Sequence, residues 1–189
     1  MKVNLKPTLT VLAAAISCVL PLVAGATDQA ATDTHYSRNF QPVVERVRQA
    51  VLGLPKSELA KYGAILKTPC VTGPEFGAMG VHLINAENVD GVVNVDKPEA
   101  LIYEPQANGK LRIVGVEYIV PFTDIPSTAN PPTLLGQSFA QVPEFGVWGL
   151  HIWVGRHNPS GIFTAWNPKV SCANAPASQQ ARMTHHHGN

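Results

Sequence analysis

The chain has 189 residues, 45% hydrophobic and 14% charged, with a formal net charge of +1 at pH 7. That near-neutral balance, without a basic run, excludes the electrostatic footprint of a nucleic-acid binder or of a protein held on an anionic membrane. The length suits one domain with its own core.

The first residues have the layout of a secretory signal. Lys2 and Lys6 precede an apolar run over 9–23, interrupted only by Thr10, Ser17 and Pro21, and Ala24-Gly25-Ala26 offers a small-x-small cleavage site. The run is shorter than a membrane span and lacks a charged stop beyond it. Residues 1–26 are therefore expected to be removed as a signal peptide, leaving 27–189 as a single α+β domain with flexible ends and no membrane span. Cys18 follows Ala15-Ile16-Ser17, a poor lipobox. Cleavage takes Cys18 with it and leaves Cys70 and Cys172, an even pair suited to an oxidising compartment, periplasmic or extracellular. A thiolate pair serving redox or metal chemistry would want a CxxC spacing or a neighbouring His, and neither is present. A disulfide closing a loop of about 100 residues would contribute roughly 4–5 kcal/mol in the chain-entropy description.

Residues 27–34 are small and polar, a lead-in without a core face. From Phe40 onward the apolar residues Phe40, Val43, Val44, Val47, Val51 and Leu54 recur at helical spacing, with Asn39 placed to cap, Pro42 in the first turn, and Gly53 and Pro55 as stops. Ser57 can cap a second helix bearing Leu59, Tyr62, Ile65 and Leu66, interrupted by Gly63 and ended by Pro69. The period then changes to two. Residues 79–85 alternate as a strand, and 101–104 and 111–120 flank Asn108-Gly109, a two-residue hairpin signal. Such a turn pairs Ala107 with Lys110 and sets Glu104 opposite Ile113, Tyr103 opposite Val114 and Leu101 opposite Val116. One face then carries Tyr103, Val114, Val116, Tyr118 and Val120, and the other Glu104, Ile113, Gly115, Glu117 and Ile119. The proline-rich stretch 121–143 has the length of a binding loop or lid. Residues 147–155 form a last strand, and Asn158-Pro159-Ser160-Gly161 a type I turn. The polar tail ends in His185, His186 and His187, which could hold metal only loosely. Helices first and strands second predict an α+β fold, with N-terminal helices packed on one face of an antiparallel sheet of about four strands.

One pattern recurs on three of these strands: Gly80-Val81-His82, Gly115-Val116-Glu117 and Gly149-Leu150-His151. Residues i and i+2 of a strand share a face. Each His or Glu therefore has a bare glycine beside it, as if on the floor of a pocket. Two histidines and a carboxylate form a ligand set for Zn²⁺, Fe²⁺ or Cu²⁺, with His82, Glu117 and His151 as the metal ligands. The same trio without metal could perform acid–base chemistry, Glu117 orienting a His. Glu104 shares the face of Glu117 but lies about 13 Å along the strand at about 3.3 Å per residue, a fallback ligand only. Met79 alternates away from His82 and reads as core filling. Trp153 shares the face of His151 and would wall the site, while Arg156 and His157 fall beyond the strand. No GxSxG, P-loop, GxGxxG, HExxH or catalytic Cys–His pattern is present.

The segments around MGVH (79–82), PEALIYEP (98–105), VGVEY (114–118) and LHIWVGRHNPSGIF (150–163), with Trp166-Asn167-Pro168 after them, resemble a group of exported bacterial hypothetical proteins carrying MGxH, PEALxYEP and LHxWxxRxNPxGxF signatures. The resemblance covers 70–172 and implies no activity, because none is assigned to the group. Gly155 stands where that pattern leads one to expect an aromatic residue, which would alter one wall of the site.

The leading functional expectation is an exported protein that binds a divalent transition metal as a carrier or small metalloenzyme; whether it is an enzyme is left open by the sequence. The alternatives are a metal-free module that holds a small organic ligand under the 121–143 loop, and a structural envelope protein. The exported protein should begin at Thr27 and weigh two hydrogens less than its reduced form. Intact mass reads both, and two free thiols on labelling in denaturant would reject the bridge.

Overall fold

Val44, Val47 and Val51 stand three and four residues apart, and all are buried on one stripe of helix α1 (Gln41–Leu52). In this computed structural model, which describes residues 40–73 and 75–182, α1 is followed by a single turn, α2 (Lys56–Leu59), and then by ten strands. These are β1 (Leu66–Lys67), β2 (Cys70–Gly73), β3 (Gly77–Ile84), β4 (Ala100–Pro105), β5 (Leu111–Pro121), β6 (Thr133–Leu134), β7 (Gln137–Ser138), β8 (Ala140–Val142), β9 (Val147–Ile152) and β10 (Gln180–Arg182). Eight of them form one sheet in the order β10-β2-β3-β4-β5-β9-β8, with β1 beside β2 on the same edge of β3, while β6 and β7 pair separately. β10 runs parallel to β2 and every other pairing in that sheet is antiparallel, so the sheet is mixed, and it curls into a half-barrel.

The expected α+β arrangement, N-terminal helices on one face of an antiparallel sheet of about four strands, is therefore wrong. The protein is mostly sheet, with two short helices among the described residues. The second expected helix shrinks to four residues, because Gly63 takes φ +76° and turns the chain toward the sheet. The extra strands β1, β2, β8 and β10 are two to four residues long. Such pieces carry no readable period, and neighbouring strands rather than their own sequence make them extended. The signal peptide, the cleavage site at Ala26, Asn39 and His185–His187 lie outside the described residues.

The hairpin between β4 and β5 also departs from expectation. Gly109 N–H donates to Gln106 O, and Gln106 N–H to Lys110 O, so three residues rather than two make the turn, with Gly109 at φ +74°. Tyr103 then faces Ile113 and Glu104 faces Arg112. A bulge opposite Ile102 and Tyr103 takes up Val114, after which Ile102 faces Gly115 and Leu101 faces Val116. The bulge restores the expected register where the site begins to form. It also turns Val114 into the core of the opposite face, away from Val116, Tyr118 and Val120.

Both faces of the sheet are buried. On one, α1 packs against Leu101, Val116, Tyr118, Val120, Leu150 and Ile152. Phe122, Ile125, Leu134, Leu135 and Phe139, from the stretch expected to be a lid, pack into this same cluster. The opposite face carries Ala78, Ile102, Val114 and Trp153, covered by the chain near Val170, Cys172 and Ala175. The Cys70–Cys172 disulfide is formed and lies in this second cluster, joining β2 to the covering segment. Arg48 adds a clamp between the layers, donating through Nε and Nη2 to Val154 O at 2.9 and 2.7 Å. No helix among the described residues is long and apolar enough to cross a membrane.

Glu99, at the start of β4, is buried on the helix side, and its Oε2 accepts from Ile119 N–H at 3.0 Å. Burial pushes its carboxyl up to about 8 from 4.5. The folded state thus keeps a proton that the unfolded chain has lost between those values, and stability falls as pH rises through that window. Urea unfolding should show wild type losing on the order of 2 kcal/mol between pH 5 and 8 that Glu99→Gln retains. Parallel pH profiles for the two proteins would contradict the buried acid.

Candidate metal centre

The register of the sheet assembles the site. Glu117 on β5 lies directly opposite His151 on β9. On its other side Glu117 faces Ala100 of β4, and His82 of β3 faces Ile102 of β4. β4 therefore separates His82 from Glu117, a spacing of about 10 Å between outer strands. The two side chains nevertheless meet across β4, which sets the fully buried Ala100 opposite Glu117 and Ile102 opposite His82.

All three expected ligands come together: each offers one ligand atom, and these atoms lie within 4.8 Å of one another. His82 Nε2 lies 3.1 Å from His151 Nε2. Glu117 Oε2 is 3.5 Å from His82 Nε2, and Glu117 Oε1 is 3.4 Å from His151 Nε2. Two ligand atoms each ~2.0–2.1 Å from one zinc ion at the tetrahedral angle lie about 3.3–3.4 Å apart. The two imidazole nitrogens stand near that separation from each other and from the carboxylate, each nitrogen against a different carboxylate oxygen. The trio could hold a metal ion, with the histidine side chains 6% exposed and the glutamate 14%.

The other imidazole nitrogens are occupied. His151 Nδ1 lies 2.8 Å from Ala165 O, and a carbonyl can only accept, so Nδ1 carries the proton. His82 Nδ1 lies 3.3 Å from Thr68 Oγ1, and the same oxygen accepts from His82 N–H at 3.0 Å. The His151 ring meets Trp153 edge-on at 5.9 Å, and Trp153 Nε1 donates to Thr164 O at 2.6 Å. Trp153 walls the site as its shared face with His151 suggested. Electrostatics divides the two histidines. Burial pushes His82 down to about 4, opposed by Glu117. His151 is raised despite burial, because the Glu117 carboxylate lies beside it. Burial would raise Glu117, but the charges of His151 and His82 outweigh it and hold the carboxyl below its ordinary range.

The three glycines do not clear an open floor. A Cβ on Gly149 would stand 2.8 Å from Glu117 Oε1, so this glycine makes room for the carboxylate itself. A Cβ on Gly115 would meet Ile152 O at 3.0 Å and Trp153 Cε3 at 3.3 Å. Gly80 adopts φ +93° with β4 so close that a Cβ would lie 2.6 Å from Tyr103 O. Glycine spacing located the site, but what it reports is close packing.

Glu104 lies away from the trio. It is buried, accepting from Ser171 N–H at 3.1 Å and from Gln106 Nε2 at 3.3 Å, and so ties the covering segment to β4. Arg156 Nε donates to Lys169 O at 2.9 Å, and His157 is exposed. Thr68 and Ala165 were not singled out from the sequence. Their roles come from contacts across 14 residues each, and neither residue type signals a site.

No family model, curated protein or solved structure matches this chain. Gly149→Ala drives a methyl into the Glu117 carboxylate and should destabilise the fold by about 1–3 kcal/mol in urea unfolding. A change below about 0.5 kcal/mol, the size of an ordinary surface substitution, would show that the carboxylate is not held where the structure places it.

Proposed function

We propose that this chain is an exported protein that binds one divalent transition-metal ion through His82, Glu117 and His151, acting as a metal carrier or a small metalloenzyme. The observation that carries this reading is the 3.1–3.5 Å triangle of two imidazole nitrogens and a carboxylate edge, buried and drawn from three strands. Three protein ligands fall one short of the closed four-ligand set of a structural zinc site. Two histidines and one carboxylate are also the set that leaves positions open on iron. The Cys70–Cys172 bond fits the oxidising compartment that the signal-like N-terminus implies. Of the motifs shared with the exported bacterial group, MGxH supplies His82 and LHxW supplies His151.

The metal-free small-molecule reading relied on the 121–143 stretch as a lid over the glycine face. That stretch instead gives Phe122, Ile125, Leu134, Leu135 and Phe139 to the helix-side cluster, which leaves the ligand triangle as the feature with chemistry to explain.

The test is metal content of protein whose His185, His186 and His187 are replaced by alanine, so that the tail contributes nothing. One equivalent of zinc, iron or copper is expected. His82→Ala and His151→Ala should each abolish stoichiometric binding while keeping the disulfide and the sheet signal in circular dichroism. Undiminished binding in both variants would reject the site.

A further inference from the structure

The two imidazoles are held differently, and the difference singles out one residue. His151 is backed by a carbonyl, which fixes Nδ1–H and leaves Nε2 to face Glu117 and His82. His82 is backed by the hydroxyl of Thr68, the only side chain within hydrogen-bond distance of its Nδ1 among the described residues. Ligation through Nε2 needs a neutral ring with its proton on Nδ1, and an outer acceptor for that proton fixes both tautomer and ring orientation.

Thr68 is placed with little freedom. Leu66 and Lys67 pair with Ile84 and Leu83, after which the chain leaves the edge of β3 at His82. Thr68 N–H still donates to His82 O at 3.0 Å, but the reciprocal bond comes from the side chain, Oγ1 accepting His82 N–H at 3.0 Å. Pro69 restricts Thr68 to extended backbone, and Cys70 beyond it is fixed by the disulfide to Cys172. One oxygen thus meets both the backbone and the ring of His82, between a strand pairing on one side and a covalent anchor on the other. Thr68 is half-buried, so its own hydroxyl proton can turn to solvent while Oγ1 accepts from the ring.

We propose that Thr68 is a positioning residue of the metal centre: its Oγ1 accepts Nδ1–H of His82 and thereby aims Nε2 of that ring at the ion shared with Glu117 and His151. This rests on the metal-binding function proposed above. Loss of an outer partner of this kind lowers metal affinity by about 10–100-fold.

The experiment is a Zn²⁺ titration, by calorimetry, of the full chain with its three terminal histidines replaced, comparing Thr68→Val and Thr68→Ser with the parent. Imidazole ¹⁵N shifts of His82 are recorded in the zinc-loaded proteins. Thr68→Val should weaken zinc binding by about 10–100-fold and shift the His82 Nδ1 resonance, and Thr68→Ser should restore both. If the valine variant does not fold, Thr68→Ala carries the same comparison. A parent that binds one equivalent alongside a valine variant with equal affinity overturns the role of Thr68 and leaves the metal site standing. Weakening that serine does not rescue also overturns it, assigning the loss to packing rather than to the hydroxyl. A parent that takes iron or copper rather than zinc is compared with the same variants in that ion, and a parent that binds none of the three overturns both.

Discussion

A carboxylate withdrawn from water must be paired or lose its charge, and Glu117 sits on a buried face with 14% of its side chain exposed. Around that requirement the rest of the second face is arranged. β9 supplies one imidazole directly across the ladder, and β3 supplies the other from two strands away. Ala100 sets only a methyl opposite Glu117, and Gly149 leaves the space that the carboxylate fills. Burying charged groups is costly even when they are paired. Apolar side chains of the same volume would avoid that cost. A divalent cation would bring the charge that a lone carboxylate between two imidazoles favours, and would itself become the dominant local charge.

The outer layer over this face is not regular structure. It is the irregular chain from Trp153 to Ala175, held by hydrogen bonds that Trp153 and Asn158 donate and Asn167 accepts, by Glu104, and by the disulfide. Ala165, which backs His151, lies in that chain. Thr68, which backs His82, lies two residues before Cys70. The Cys70–Cys172 bond therefore ties together the two segments that orient the two histidines. The bridge thus anchors both segments that hydrogen-bond to the two rings.

The long elements were legible in the sequence because each carries its own period. The valines of α1, the alternation of β5 and the glycine-flanked His and Glu of β3, β5 and β9 each repeat over enough residues to reveal which face is which. Strand alternation was enough to place His82, Glu117 and His151 on the side opposite Val116 and Leu150, and cysteine parity was enough to pair Cys70 with Cys172. The N-terminal bias toward helix misled the choice of fold class. One 12-residue helix covers only part of a sheet this wide, and loops and short strands cover the remainder.

Spacing and residue type were enough to show which chemical groups were available and, outside the bulge at Val114, which face of a long strand each residue takes. How those groups meet follows from the pairing of strands across the whole sheet. The three-residue turn at Gly109 and the bulge at Val114 have compensating effects on register that no local pattern announces. The parallel pairing of β10 with β2 spans more than 100 residues. The contact of His82 with Thr68 Oγ1 exists because two short strands share one edge of β3 and leave a gap between them. Such contacts are set by which strands become neighbours, a property of the whole sheet that no single segment encodes.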